Sequence, residues 1–174
     1  MSAALLALAA AAGCTVRPLY SEGAPLSTTG ERHGMAEDLA SISIKPVTTR
    51  YGQEVRNHLI FMFGRGRGEP AAARYSLTLS IASRRETATY RQAVGSGTEF
   101  EPTAATVTLI ADYQLTNASD GSVVARGKRQ VTSSFDVPRQ AFGETRAERD
   151  AENRAARELA EILRLAVAQD LSRG

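Results

Sequence analysis

Polar and hydrophobic residues alternate in four stretches of the chain, with the period of two that is typical of a strand buried on one face. The alternation is brief in residues 41–47 and longer in residues 75–81 and 106–116. An Asp-Gly pair follows the third stretch, and this pair tolerates the backbone angles of a hairpin turn. The pattern therefore predicts that residues 106–116 pair antiparallel with a fourth strand over residues 122–135.

Two other stretches repeat hydrophobic residues every three or four positions, which is the period of an amphipathic helix. The first predicts a helix that begins after Thr49 and ends near Gly64. The second predicts a long final helix from about Glu144 to Leu171. The stripe of the final helix consists of Ala147, Ala151, Ala155, Leu159, Ile162, Leu163 and Ala166.

The predicted order is thus strand, helix, three strands, helix (β-α-β-β-β-α), which indicates an α/β fold of the α+β sandwich type. A crossover through the first helix makes the first two strands parallel neighbours, and the third and fourth strands then join the sheet through hairpins. We expect a mixed four-stranded sheet with two helices packed on one face. Residues 93–103 form a loop in this scheme. The opposite face of the sheet is too polar for a core and is available for contact.

Three glycines, two arginines and a proline interrupt the pattern between Gly64 and Pro70. Such a segment could be a phosphate-binding loop, but it follows a helix and lacks the Gly-Lys-Ser/Thr ending. A plain connector is the favoured interpretation.

The N-terminus is an uncharged apolar run that ends in small residues directly before Cys14, the only cysteine of the chain. This pattern is typical of a lipoprotein signal, because a thiol at the new N-terminus can carry a diacylglycerol. We expect a signal peptide over residues 1–13, lipidation at Cys14, a flexible tether over residues 14–38 and a single domain over residues 39–174. The alternative is an N-terminus with an incidental cysteine. A transmembrane helix is disfavoured, because it would need about 20 apolar residues and the apolar run here is shorter.

Composition narrows the classes of function. The chain has 21 Lys and Arg against 19 Asp and Glu, so no strong overall field favours nucleic acid. It has no Trp, which argues against a stacking platform for bases or sugars. The only two histidines are His33 and His58, and the one thiol is assigned to lipid. We therefore expect no enzymatic activity, no cofactor and no metal site.

Several segments resemble the LptE family of lipopolysaccharide-assembly lipoproteins in Gram-negative outer membranes. They are residues 13–20, 42–47, 53–59, 75–79 and 131–136, together with the alanine-rich final helix. The resemblance implies a lipid-anchored protein on the periplasmic face of the outer membrane. It also implies a partner, the β-barrel LptD, whose lumen the protein fills, whose folding it assists and with which it passes lipopolysaccharide to the cell surface.

Six cations form a candidate binding site for lipopolysaccharide. Three are expected to follow the second strand and three lie on the strand after the Asp-Gly turn. Guanidinium groups bind phosphates and carboxylates through paired hydrogen bonds. The alternative is a solvated strand surface whose charges discourage edge-to-edge aggregation. The six residues are Arg84, Arg85, Arg91, Arg126, Lys128 and Arg129.

Two other functions stay open at this point. One is an auxiliary lipoprotein of a lipid-transporting ABC system, which shares the anchor and a small α/β domain. The other is a nucleic-acid-binding domain that uses Arg65, Arg67, Arg84 and Arg85, and it requires that the N-terminus is not a signal.

Overall fold

The computed structural model describes residues 34–92 and 100–173. The predicted signal peptide and Cys14 lie outside the described residues. The helices are α1 (Met35–Ala40), α2 (Arg50–Gly64) and α3 (Ala141–Arg173). The strands are β1 (Ile42–Ile44), β2 (Tyr75–Gln92), β3 (Phe100–Asn117) and β4 (Val123–Asp136).

The four strands form one sheet in the order β1-β2-β3-β4. β1 is parallel to β2, while β2, β3 and β4 are antiparallel neighbours. This confirms the predicted mixed sheet and the predicted hairpin after Asp120 and Gly121. The Asp120 carboxylate accepts hydrogen bonds from the backbone N–H and hydroxyl of Ser122, at 2.9 and 2.8 Å. These bonds lower the pKa of Asp120.

The hydrophobic core lies between the helices and one face of the sheet. Every second side chain of β3 from Ala105 to Leu115 is buried there. α3 packs across β3 and β4, and α2 packs beside α3 against β1 and β2. The alanines of the α3 stripe let its backbone approach the sheet closely, and Ala151 and Ala155 are fully buried. Both helices thus lie on the same face, as the sequence predicts.

Local hydrogen bonds and backbone conformation define both ends of α2. The Thr49 hydroxyl caps it by accepting the backbone N–H of Gly52 at 3.2 Å. After Gly64, Arg65 adopts a left-handed conformation with φ of 51°, and its N–H bonds to the carbonyl of Phe61. This left-handed end satisfies a carbonyl of the last turn.

The sheet is longer than the alternation predicts. β2 continues to Gln92, so Arg84, Arg85 and Arg91 lie within the strand instead of following it. β3 begins at Phe100, so the predicted loop ends before Pro102. Each strand has few apolar residues there, so the alternation that marks a half-buried strand is missing from the sequence.

A further helix, α1, contains four residues of the segment predicted as a tether. It has only six residues, too few for a periodic pattern, and just Leu39 is fully buried. Its position is set by contacts from other elements: the Arg74 guanidinium pairs with Asp38 at 2.8 Å. No sequence pattern within α1 predicts this pairing, because its partner lies 36 residues away.

A hydrogen bond from a buried tyrosine links the C-terminal end of α3 to the sheet. Tyr113 of β3 is 4 % exposed, and its hydroxyl donates to a carboxylate oxygen of Asp170 at 2.7 Å. Burial, and to a smaller extent the hydrogen bond to Asp170, raise the pKa of Tyr113 to about 12. Gly127 of β4 lies beside the ring, where a Cβ would come within 2.7 Å of the hydroxyl.

Candidate functional site

The second face of the sheet, which we call the outer face, is covered by no helix among the described residues. It carries the side chains that alternate with the core residues in β2, β3 and β4. They are mainly hydroxyl, amide and charged groups, as the sequence predicts. The outer face comprises Ser76, Thr78, Ser80, Ala82, Arg84, Glu86, Thr106, Thr108, Ile110, Asp112, Gln114, Thr116, Arg126, Lys128, Gln130, Thr132 and Ser134.

Neighbouring groups on the outer face bond to one another across the strands. The hydroxyls of Thr108 and Thr132 are 2.9 Å apart. Arg84 pairs with Glu86 at 2.7 Å, along its own strand. Ile110, in the middle of β3, is half-buried among these polar groups. The outer face is therefore a wettable surface that is broad and has no large apolar patch.

Three of the six predicted cations lie on the outer face. Arg126 is opposite Gln114 in the register, and Lys128 is opposite Asp112. The Lys128 ammonium is 3.9 Å from the Asp112 carboxylate. Arg126 has no carboxylate partner in the part of the chain that the structure describes. Arg126 is consequently the member of this group best able to take an external anion.

Arg84 is far from the other two cations of the outer face. It is opposite Thr108 of β3, whereas Arg126 is opposite Gln114, six residues further along the same strand. At about 3.4 Å per residue this offset is roughly 20 Å. One phosphate cannot contact both side chains.

Two predicted cations lie on the helix side of the sheet and have structural partners there. Arg85 pairs with Glu144 and with Glu148 of α3, and its guanidinium lies 5.6 Å from the centre of the Phe135 ring. Arg129 lies 5.9 Å from the centre of the Tyr113 ring. The six residues are thus divided between two faces, because neighbours in a strand point in opposite directions.

Arg91 belongs to the far part of β2, opposite Glu101 and beyond two irregularities in the register. Its side chain lies outside the described residues, as Cys14 does.

An open cleft, which no sequence pattern predicts, lies where β4 leads into α3. It has a volume of about 510 Å³, and its lining includes Phe135, Asp136, Val137 and Arg154. Arg154 donates to the Ser134 carbonyl at 2.8 Å and pairs with Asp150. The cleft brings residues of a strand end together with residues that lie roughly two to four helical turns after the start of α3, so only the tertiary structure reveals it.

The described residues contain no group of three or more His, Cys, Asp or Glu side chains placed to hold a metal ion. His58 lies 3.9 Å from Glu54, one turn earlier in α2. Of the three helices described, none combines the length and the apolar character that crossing a bilayer requires.

Comparison with known proteins identifies the family. The family model LptE, lipopolysaccharide-assembly, matches residues 39–167, which is well over half of the chain. A search among curated proteins found no match. A solved structure similar to this chain is a putative lipoprotein from Caulobacter crescentus, with 25% identity and a TM-score of 0.63; the match covers 80% of this chain and 96% of that one.

Two more distant structures have the same fold. The rare lipoprotein B of Shewanella oneidensis is 13% identical, with a TM-score of 0.52, over 75% of this chain and 95% of that one. A minor lipoprotein of Acinetobacter baumannii is also 13% identical, with a TM-score of 0.51, over 74% and 89% of the two chains.

Proposed function

The chain belongs to the lipopolysaccharide-assembly (LptE) family, and from this premise we propose that it is a lipid-anchored outer-membrane protein that partners an LptD-like β-barrel. In this role it fills the barrel lumen, aids barrel folding and assists lipopolysaccharide transport to the cell surface. The proposal includes no catalytic step.

The bare outer face is the observation that carries the proposal. A sheet with one face free of helices has an interaction surface ready for a partner, and here that surface is polar. The lumen of an outer-membrane barrel is polar as well. Hydrogen-bonding groups such as Thr108, Gln114 and Thr132 can remain hydrated in the free protein and exchange water for lumen groups on association. This supports a large, wet interface.

Lipidation at Cys14 completes the proposal. Residues 1–13 would be removed as a signal peptide, and acyl chains on the cysteine would hold the domain at the periplasmic face of the outer membrane. Two or three acyl chains give durable attachment, since each buried methylene contributes about 0.8 kcal/mol. Metabolic labelling with palmitate should mark the native chain and leave the Cys14→Ala variant unlabelled.

Co-purification tests the barrel partnership. An epitope-tagged chain, extracted gently from outer membranes, should bring down a large β-barrel protein. The Ile110→Arg variant places a charged, longer side chain in the centre of the outer face and should reduce barrel recovery at least tenfold. Leu165→Arg is the matched control: it makes the same kind of change on the exposed side of α3.

Recovery of the chain alone, from membranes that contain the barrel, would contradict the partnership. Equal loss of barrel with Ile110→Arg and Leu165→Arg would contradict the outer face as its site. Thermal melts of both variants show whether each one is folded.

Lipopolysaccharide contact is proposed for the outer-face cations, with Arg126 as the principal anion ligand and Lys128 and Arg84 as secondary ones. Charge reversal of Arg126 and Lys128 together should weaken binding of purified lipopolysaccharide. The control reverses two arginines on the exposed surface of α3, Arg149 and Arg157. Equal affinity of both double variants and the native chain would count against the cation site.

The ABC-system alternative predicts a different phenotype. Depletion of the chain should reduce surface lipopolysaccharide if the barrel proposal holds. Misplaced phospholipid together with normal surface lipopolysaccharide would favour the alternative.

A further inference from the structure

The two edges of the sheet differ in how their outward backbone groups are satisfied. At the β1 edge, the N–H of Ile44 donates to the Glu69 carboxylate at 2.9 Å, and the Ile44 carbonyl accepts from the Arg56 guanidinium at 3.0 Å. Arg56 and Glu69 also pair with each other at 2.6 Å. These two side chains take the place of a neighbouring strand, so the β1 edge is closed at Ile44.

The outward backbone groups of β4 belong to its even-numbered residues. The N–H of Val137 donates to the Thr103 carbonyl at 3.0 Å, so Val137 faces β3. The register from Asp136 back to Ala125 is regular. Because backbone groups alternate in an antiparallel ladder, the N–H and C=O of every second residue in this stretch point away from β3. These residues are all exposed, and they are Arg126, Lys128, Gln130, Thr132, Ser134 and Asp136.

Side chains of the described residues cover two of the outward carbonyls of β4. Arg154 donates to the Ser134 carbonyl at 2.8 Å, and Arg129 donates to the Lys128 carbonyl at 2.7 Å. A guanidinium has no acceptor, so neither arginine satisfies an outward N–H. A neighbouring strand supplies both donors and acceptors, and Arg154 keeps its pairing with Asp150 when it releases the carbonyl. The β4 edge is therefore open to a strand.

We infer that two copies of the chain associate by antiparallel pairing of β4 with β4, about a two-fold axis at Val131. Arg126 and Asp136 are both five positions from Val131, on opposite sides of it. Each Arg126 therefore lies opposite Asp136 of the second copy. Neither residue has an ionic partner in the part of the chain that the structure describes. The strand thus carries its own charge complement, which selects a second copy as the occupant of the edge.

Neighbouring registers lack this complementarity. Moving the axis by one residue toward the N-terminus places Arg126 opposite Ser134, which is uncharged. Moving it by one residue toward the C-terminus places Lys128 opposite Asp136, although Lys128 already lies 3.9 Å from Asp112. The axis at Val131 also uses the whole open stretch of the strand.

The pairing joins two copies of the four-stranded sheet into one continuous sheet. The side chains of Arg126 and Asp136 then lie on the same side of this sheet as the two outer faces. Backbone hydrogen bonds supply most of the affinity, and the ion pairs fix the register, because each exposed ion pair contributes little. The dimer depends on neither the lipid anchor nor the barrel, since every residue that pairs belongs to β4.

Charge reversal tests the register. The full chain is studied by sedimentation equilibrium in a detergent of the same density as the solvent, which reports the protein mass. The native chain should reach twice the monomer mass as its concentration rises. Arg126→Asp and Asp136→Arg should each weaken dimerisation about tenfold, because each places like charges opposite each other at both symmetric positions.

Mixing the two variants supplies the decisive result. An equimolar mixture of Arg126→Asp and Asp136→Arg should dimerise as well as the native chain, because every Asp at these positions then faces an Arg. The control Arg149→Asp, on the exposed surface of α3, should dimerise like the native chain. Thermal melts show that each variant is folded.

A proline tests the strand pairing independently of charge. Thr132→Pro removes an outward N–H and no hydrogen bond to β3, so the domain should fold and the dimer should be lost. Thr132→Val, which keeps the N–H and loses the hydroxyl, is the matched control and should dimerise.

Three results would overturn the inference. They are a native chain that stays monomeric at all concentrations, a mixture of the two charge variants that fails to dimerise, and equal dimerisation of Thr132→Pro and Thr132→Val. A monomeric native chain whose recovery of the barrel falls only with Thr132→Pro would assign the edge to the barrel. Failure of the proposed barrel partnership or lipid anchor is recognised separately, because it leaves the sedimentation results unchanged.

Discussion

Replacing Gly127 by alanine should destabilise the protein, although the same change in a strand usually helps. Gly127 faces the helix side of β4, opposite Tyr113. An added Cβ would lie 2.7 Å from the tyrosine hydroxyl and 2.8 Å from two ring carbons. The ring cannot simply turn aside, because Asp170 holds its hydroxyl and Arg129 lies over its face.

The loss of stability has two sources, which are overpacking of the buried site and loss of the hydrogen bond between Tyr113 and Asp170. Overpacking a buried site costs about 1 to 3 kcal/mol. Losing a hydrogen bond to a charged group costs about 1.5 to 3 kcal/mol. Backbone movement relieves part of the steric strain, so the two contributions do not add in full. We expect the free energy of unfolding to fall by about 2 to 4 kcal/mol. A slope of about 2 kcal/mol per molar urea converts this to a midpoint 1 to 2 M lower.

Urea denaturation followed by far-ultraviolet circular dichroism measures the effect. The decisive comparison repeats Gly127→Ala in a Tyr113→Leu background, where no ring and no hydroxyl occupy the space. There the sign should reverse, because alanine in a strand is favoured over glycine by about 0.5 to 1 kcal/mol. Equal destabilisation in both backgrounds, or a loss below about 0.5 kcal/mol in the native background, would refute the steric reasoning.

Three further predictions concern the fold. The free energy of unfolding should fall by about 2 kcal/mol as pH rises from 10 to 12, because the unfolded chain loses the Tyr113 proton at about pH 10 and the folded chain keeps it until about pH 12. Urea melts at a series of pH values measure this fall, and Tyr113→Phe should abolish it. Arg85→Gln should speed hydrogen exchange in the first turns of α3, whereas the outer-face control Arg84→Gln should leave it unchanged. Thr49→Ala should cost about 1 kcal/mol through loss of the α2 cap, with Thr48→Ala as a neutral control in the same melts.

The local sequence pattern was sufficient to predict α3 and the hairpin between β3 and β4. The stripe that contains Leu159 and Leu163 predicts α3 to within three residues at either end, because burial on one side imposes the helical period. The hairpin between β3 and β4 follows from the turn residues and the alternation of the two strands. The ends of β2 and β3 were not predictable in this way, since beyond Arg85 the strands pair with each other although few of their residues are apolar.

The candidate site shows the same division. The polar character of the outer face was predictable, because the residues between buried positions must point away from the core. Grouping Arg84 and Arg85 was wrong as geometry, since adjacent strand residues face opposite sides and Arg85 bonds to Glu144.

By itself, the sequence determined the order of the elements from β1 onward, the mixed sheet and the family, because each depends on short-range pattern or on residue identity along the chain. The tertiary structure decided which charged side chains have ionic partners within the described residues and which remain exposed. Those outcomes depend on strand register and on α3 crossing the sheet, which bring Tyr113 to Asp170 and Arg85 to Glu144 across about 60 residues of chain. No local signal encodes contacts at that separation, since they form only when the whole domain has packed.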